Sequence, residues 1–146
     1  MENSELSLLK YQVDKVEFAF NENFDFTKDE SIQLNQKFGR DFKKIDKDHC
    51  KVTIGLFIEQ MEDIPMPFTL KVEVSGIFQL KDWENNSSDL MKTNTIAILY
   101  PFLRALVATL TSNANVPPYI LPVFNVISWF EKNEKKEVSW LWNSES

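Results

Sequence analysis

The segment AILYPFLRALVATL, residues 97–110, restricts the possible folds of this chain more than any other stretch. Its only ionisable side chain is Arg104, although the whole chain of 146 residues has a formal charge of −6. Five residues at three- and four-residue spacings form one apolar stripe of a helix: Leu99, Leu103, Leu106, Val107 and Leu110. Because Phe102, Ala105 and Ala108 occupy much of the opposite side, other structure has to cover this helix on nearly all sides.

A membrane span is the first alternative for this segment. From Thr95 to Leu110 a helix rises about 24 Å at about 1.5 Å per residue, which is short of the ~30 Å hydrocarbon core. Arg104 near its middle adds about 2.5–3.5 kcal/mol against insertion. The proline-rich residues 117–122 then interrupt any longer helix. We therefore predict a buried helix followed by a Pro-rich loop, with no membrane insertion.

Length and composition are those of one globular domain, with 43% hydrophobic and 26% charged residues. We predict a single domain whose core covers about residues 8–136, with polar termini. The acidic start MENSELSLLKYQ lacks the long apolar centre of a signal peptide, and the single cysteine, Cys50, excludes an intramolecular disulfide framework. We therefore expect a cytoplasmic protein. A pI near 4.8 argues against binding to nucleic acid, which requires clustered Lys and Arg.

Two stretches in the middle of the chain alternate as strands do. In KVTIGLFIE, residues 51–59, the apolar face consists of Val52, Ile54, Leu56 and Ile58. FTLKVEVSGIFQL, residues 68–80, places Leu70, Val72 and Val74 inward and Lys71, Glu73 and Ser75 outward. Gly76 interrupts this second pattern, and a glycine inside a strand predicts a bulge or a bend there.

Two further strands precede these. Residues 8–20 alternate as well, but the apolar set changes parity between Val13 and Val16, which predicts a bulge or a sheet-edge kink near Asp14 and Lys15. Residues 31–46 are a weaker strand candidate that ends in a lysine-rich turn.

The second half of the chain has helical patterns. Pro101 has no amide donor, so the main helix either begins just ahead of it or kinks there. A final helix is predicted over about Val123 to Lys136. The predicted fold class is α+β: a four-stranded antiparallel sheet, a long helix, a Pro-rich loop and a C-terminal helix.

No arrangement of residues indicates catalysis or metal binding. His49 and Cys50 are adjacent on a polar turn, where neighbouring side chains point in opposite directions, and we expect both to be solvent-facing structure. Glu59, Glu62 and Asp63 are typical of a solvated strand end, and the three glycines are too far apart for a phosphate-binding loop. We predict no enzyme activity and no cofactor.

The order of elements and two short motifs resemble the SecB protein-export chaperones. Gly76-Ile77-Phe78 is similar to the family's Gly-Ile-Phe at the end of the last strand, and residues 100–104, Tyr-Pro-Phe-Leu-Arg, are similar to its Phe-Pro-Tyr-Ala-Arg. The resemblance covers roughly Leu8 to Phe130. It implies a homotetramer, a dimer of dimers, in which the long helices of paired subunits pack between the sheets.

This assembly would cover the apolar helix on both sides. The expected oligomer-interface residues lie on that helix: Leu99, Phe102, Leu103, Leu106 and Leu110. A fully buried leucine contributes about 1.5–3 kcal/mol, so several from each subunit suffice for a dimer. Arg104, buried in such an interface, would require a carboxylate or carbonyl partner.

The resemblance implies an ATP-independent holdase that keeps unfolded preproteins in apolar grooves. We expect groove-lining residues in the Pro-rich loop and the last helix: Tyr119, Ile120, Leu121, Val126, Trp129 and Phe130. For each one, a place in the core is the alternative. A carrier of a small hydrophobic ligand is the alternative function, since the same aromatic and aliphatic content would suit it.

The sequence departs from the family at the surface that docks to the SecA motor. Family members have acidic residues there on the outward face of the sheet, whereas this chain has Lys15, Ala19 and Lys71 at the matching positions, with Glu17 and Glu73 nearby. SecA is therefore a doubtful partner. A SecB-like chaperone with a dedicated client outside export, such as an antitoxin, is an alternative to the export role.

Overall fold

The computed structural model describes residues 5–27 and 34–116, and these form a four-stranded antiparallel sheet and two helices. The strands are β1 (Ser7–Phe20), β2 (Gln36–Asp46), β3 (His49–Ile58) and β4 (Phe68–Gln79), and the helices are α1 (Trp83–Asn86) and α2 (Asp89–Asn113). The strand order is β1-β4-β3-β2, so the first strand pairs with the last. The predicted α+β class is confirmed. The predicted Pro-rich loop and C-terminal helix lie outside the described residues.

One face of the sheet, the inward face, carries the hydrophobic core. Strand partners across β3 and β4 lie on this face in the predicted alternation: Ile54 beside Val74, Leu56 beside Val72 and Ile58 beside Leu70. All six are buried. The helix α2 packs on this face against β3 and β4, which places its own buried residues over the centre of the sheet. The opposite face of the sheet is called the outward face below.

The predicted bulge in the first strand is confirmed. The register between β1 and β4 shifts between Val13 and Lys15, so Val13 and Val16 both lie on the inward face although their spacing is odd. A second shift between Leu8 and Lys10 was not expected from the sequence. Each shift reverses the parity of the strand, because one extra residue moves the side chains that follow to the other face.

The bulge or bend predicted at Gly76 is wrong. The residue pairs in register with Tyr11 on one side and Val52 on the other, and β4 continues to Gln79. A Cβ atom at this position would lie 2.7 Å from Leu8 Cδ1 and 3.0 Å from Leu99 Cδ2. The glycine therefore lets α2 and the edge strand pack closely on the sheet.

Of the two alternatives predicted for Pro101, a helix that begins just ahead of it is wrong. The helix α2 begins at Asp89 and passes through Pro101, which lies inside it and has no amide to donate to the preceding turn. With 25 residues it is long and apolar enough to cross a bilayer by length and composition. The length argument against a membrane span therefore fails. The packing of α2 on the inward face, with Leu99 and Leu103 in the core, is what indicates a core helix.

Candidate functional surfaces

The local sequence explains how α2 is positioned. Ser88 is its N-cap, and the hydroxyl oxygen accepts a hydrogen bond of 3.1 Å from the amide of Met91. From there, buried residues recur at helical spacing on the side that faces the sheet: Thr95, Ile96, Leu99, Leu103, Val107 and Thr111. One side of α2 is thus fixed against the sheet and the other is available for contacts.

The other side of α2 and the edge strand β1 together present exposed apolar side chains. Ile98 and Phe102 of α2 are 37% and 40% exposed, and Val13 and Val16 of β1 are 46% and 42% exposed. The ring of Phe102 stacks on Tyr11, with 4.3 Å between the ring centroids and 25° between the planes. This stack joins the helix to the strand. We call Val13, Val16, Ile98 and Phe102 the apolar strip.

The residues predicted for the oligomer interface divide into two groups. Leu99 and Leu103 are 0% and 1% exposed and belong to the core of the single subunit. Phe102 is exposed, and Leu106 and Leu110 are half-buried at the margin of the core. A subunit contact on this helix would therefore use the second group together with Ile98, a residue that the sequence pattern did not single out.

Arg104 was expected to be buried, and it is exposed in the single subunit. It lies near Tyr100, one helical turn earlier. Partial burial raises the pKa of the Tyr100 hydroxyl above its ordinary value, and the positive charge of Arg104 acts in the opposite direction. Within one subunit, the guanidinium thus has access to water.

The six residues predicted to line a client groove lie outside the described residues. They are Tyr119, Ile120, Leu121, Val126, Trp129 and Phe130. The described helix α2 ends at Asn113, a few residues before them.

The residues predicted at the docking surface lie on the outward face. Lys15 pairs with Glu73, and Ala19 pairs with Thr69. Lys71 pairs with Glu17 and lies over the ring of Phe57, 5.9 Å from its centroid. Desolvation raises the pKa of Glu73, and the charge of Lys15 opposes that rise. Lysines thus alternate with carboxylates on the part of this face where the family has acidic residues.

The surroundings of Cys50, at the start of β3, differ from the prediction. Cys50 was expected to face solvent, but it is 1% exposed and lies in the core, where burial raises the pKa of its thiol to about 11. His49 is half-buried, and its Nδ1 lies 2.7 Å from Asp46 Oδ1. Among the described residues there is no group of three or more His, Cys, Asp or Glu side chains placed to hold a metal ion.

The predicted strand-end carboxylates have ordinary surroundings. Glu59 forms an ion pair with Lys37 at 3.5 Å, and Glu62 and Asp63 are exposed. Exposed pairs of this kind contribute about 0–1 kcal/mol to stability.

Comparison with known proteins identifies relatives of this chain. A family model described as "Preprotein translocase subunit SecB" matches residues 4–137. An uncharacterized protein of Methanocaldococcus jannaschii is 34% identical over 128 residues, covering 83% of this chain and 79% of the relative. The protein-export protein SecB of Acinetobacter baumannii is 29% identical over 112 residues, covering 76% of this chain and 74% of the relative.

A solved structure shares the fold. It is the SecB-like chaperone Rv1957 of Mycobacterium tuberculosis in complex with a ChAD peptide from the HigA1 antitoxin, with a TM-score of 0.59 and 17% identity. The similarity covers 82% of this chain and 88% of that one. The sheet and helix, the Gly-Ile-Phe and Tyr-Pro-Phe-Leu-Arg motifs, and the family match over nearly the whole length agree, and the chain therefore belongs to the SecB family.

Proposed function

We propose that this chain is a SecB-like, ATP-independent chaperone that holds unfolded polypeptides on apolar surfaces. The observation that carries the proposal is the apolar strip, in which Val13, Val16, Ile98 and Phe102 are each 37–46% exposed on a subunit with a well-buried core. Exposed apolar side chains on two neighbouring elements, linked here by the Tyr11–Phe102 ring stack, are typical of a binding or assembly surface. Family membership supports the choice of unfolded chains as the ligand.

In this proposal the apolar strip serves assembly and the residues after α2 serve clients. Two copies of the strip facing each other would bury Phe102 and Ile98 of both subunits, which leads to a homodimer and, through a second pair, to a homotetramer. Groove residues such as Trp129 and Phe130 would then bind clients. The protein would act in the cytoplasm and without catalysis.

The client is proposed to be a dedicated partner outside export. The support is the outward face, where Lys15 and Lys71 stand at the positions at which the family's docking surface for the SecA motor is acidic. The solved relative that shares the fold is bound to a peptide from an antitoxin, which shows that a chaperone of this fold accepts such a client. The export role is the alternative, and tight salt-sensitive binding of SecA by the unmodified protein would favour it.

A cavity on the outward face offers little support for the small-ligand alternative. That cavity measures about 100 Å³ and its walls include Lys10, Gln12 and Lys51. Cavities that hold lipid-sized ligands measure about 300–1,000 Å³ and are mostly apolar. This cavity does not suit a hydrophobic ligand.

Suppression of aggregation tests the proposal. The protein, without nucleotide, should keep several unrelated chemically denatured proteins in solution after dilution, near one tetramer per client. Trp129→Gln should weaken this activity, whereas Leu90→Gln, which changes a residue that is 70% exposed on the first turn of α2, should leave it unchanged. Melting temperatures of both variants separate loss of the groove from loss of the fold. A protein that binds a fatty acid in each subunit and fails to protect any client would overturn the proposal.

A further inference from the structure

Three lysines form a row across one end of the outward face. In the register of the sheet, Lys10 of β1 pairs with Ile77 of β4, Ile77 pairs with Lys51 of β3, and Lys51 pairs with Lys43 of β2. Alternation along each strand places all four side chains on the outward face. We call Lys10, Lys51 and Lys43 the lysine row.

The lysine row differs in its lack of ion pairs from three other strand lysines, Lys15, Lys37 and Lys44, while Lys71 lies over the ring of Phe57. Elsewhere on the sheet the ammonium groups form ion pairs: Lys15 with the carboxylate of Glu17 at 3.7 Å, Lys37 with that of Glu59 at 3.5 Å, and Lys44 with that of Glu84 at 3.4 Å. Within the described part of the chain, no ion pair joins a lysine of the row to a carboxylate. This concentration of positive charge stands out in a protein whose formal charge is −6.

The pairing of Lys43 with Lys51 is unfavourable for the sheet itself. Like charges directly opposite on neighbouring strands destabilise a sheet by a few tenths of a kcal/mol to about 1 kcal/mol. Asp41 and Asp46 lie on the same edge strand, but Asp41 pairs with Thr53 and the carboxylate of Asp46 is held by His49 at 2.7 Å. A bound partner with negative charge would relieve this repulsion.

The surface beside the row is concave. A cavity of about 100 Å³ lies between two of the lysines and is lined by Lys10, Gln12, Lys51, Ser75, Gly76 and Ile77. Lys10 and Lys43 are exposed, while Lys51 and Ile77 are half-buried. The half-buried Ile77 between two ammonium groups offers an apolar contact to the stem of an acidic side chain.

We propose that the lysine row is a docking site for an acidic, extended segment of a partner protein. Strands lie about 4.8 Å apart, so the row spans about 14 Å from Lys10 to Lys43. An extended peptide that lies across the strands, with carboxylates at alternate positions, repeats every ~6.7 Å, and three such carboxylates span about 13 Å. The total span of the three carboxylates therefore matches that of the row. The lysines themselves are unevenly spaced, since Ile77 separates Lys10 and Lys51 by about 9.6 Å while Lys51 and Lys43 are about 4.8 Å apart, and the long lysine side chains have to bridge the difference.

Charge also selects the class of partner. A nucleic acid brings a dense series of phosphates, and the negative charge of the rest of the protein opposes its approach over long distances. A short peptide with a few carboxylates meets less of that repulsion and still gains charge-assisted contacts with three ammonium groups. The row lies on the outward face and is separate from the apolar strip that is proposed for assembly.

Fluorescence anisotropy with a labelled peptide of alternating Ser and Glu tests the proposal, and the same peptide with Gln in place of Glu is the reference. The Glu peptide should bind the full-length protein more tightly than the Gln peptide, and added salt should weaken the binding. The double variant Lys10→Gln/Lys51→Gln should raise the Kd about tenfold.

The matched control is Lys44→Gln/Lys47→Gln, which removes the same charge from lysines outside the row. It should leave the Kd within about twofold of the unmodified protein, because long-range attraction alone is weak at physiological salt. Equal affinity for the Glu and Gln peptides, or equal losses in the two double variants, would overturn the proposal. Tighter binding of a single-stranded oligonucleotide of matched charge would overturn the choice of partner. Melting temperatures near that of the unmodified protein confirm that each variant is folded.

Discussion

Replacement of Gly76 by alanine tests the close packing of α2 on the sheet. The added Cβ would lie 2.7 Å from Leu8 Cδ1, 3.0 Å from Leu99 Cδ2 and 3.2 Å from Phe78 Cε2, so at least Leu8 has to move. Overpacking of a core typically costs about 1–3 kcal/mol. The loss of glycine's freedom in the unfolded chain returns about 0.5–1 kcal/mol. We expect Gly76→Ala to lower the free energy of unfolding by about 1 kcal/mol.

Urea denaturation measures this change, and a double-mutant cycle identifies its cause. The nearest atom is the end of a half-buried side chain, so Leu8→Ala should create the missing room. The double variant should then be more stable than the sum of the two single changes predicts, by about 0.5–1 kcal/mol. A Gly76→Ala variant as stable as the unmodified protein, or a cycle without coupling to Leu8, would refute the role assigned to this glycine.

Three further predictions concern the cap, the assembly surface and the thiol. Ser88→Ala removes the acceptor of the Met91 amide and should lower the free energy of unfolding by about 1 kcal/mol in urea denaturation, whereas an unchanged value would show that the cap is redundant. Phe102→Asp should shift the sedimentation coefficient toward smaller species, while Leu90→Asp, on the same helix, should not; equal behaviour of the two variants would argue against the apolar strip as the interface. Burial raises the pKa of Cys50 from 9.0 to about 11, so the thiol remains protonated in the folded state where the unfolded chain ionises. The stability that the protonated thiol contributes is complete below pH 9 and is lost as the pH rises toward 11. In denaturation curves measured across that range, Cys50→Ala should therefore show a smaller decline of the free energy of unfolding with pH.

The strands could be predicted from the sequence because each carries an apolar set on its inward face, although the central strand β3 also buries Thr53 and Phe57 on the outward face. Val52, Ile54, Leu56 and Ile58 alternate without interruption, and the sheet uses all four. The bulge in β1 was one of the two irregularities that the parity change between Val13 and Val16 predicted, and the register shift confirms it. Patterns that a single strand carries within itself were therefore sufficient.

The start of α2 and the role of Gly76 depend on contacts between elements. Residues 89–96 are mostly polar and show little of the apolar pattern, although Ser88 before Asp89 is a typical N-cap signal. For Gly76, the local pattern fits a bulge as well as close approach, and the register of the sheet with the positions of Leu8 and Leu99 decides between them. Tertiary packing, which the sequence does not display, determined both outcomes.

The candidate sites were less accessible from the sequence for the same reason. Arg40 lies between Phe38 and Phe42 on the inward face and is 2% exposed, and it was not singled out from the sequence. The lysine row was not singled out either. Its members come from three strands, and only the register of the sheet brings Lys10, Lys51 and Lys43 together.

The central claim is that this member of the SecB family binds unfolded chains by exposed apolar surface and without ATP. The most direct measurement is the affinity of the protein for one slowly folding client, determined by titration in its unfolded form and in its native form, in the absence of nucleotide. The account predicts binding of the unfolded form at least about a hundredfold tighter than that of the native form, with no effect of added ATP. Equal affinity for both forms, or binding that appears only when ATP is added, would contradict it.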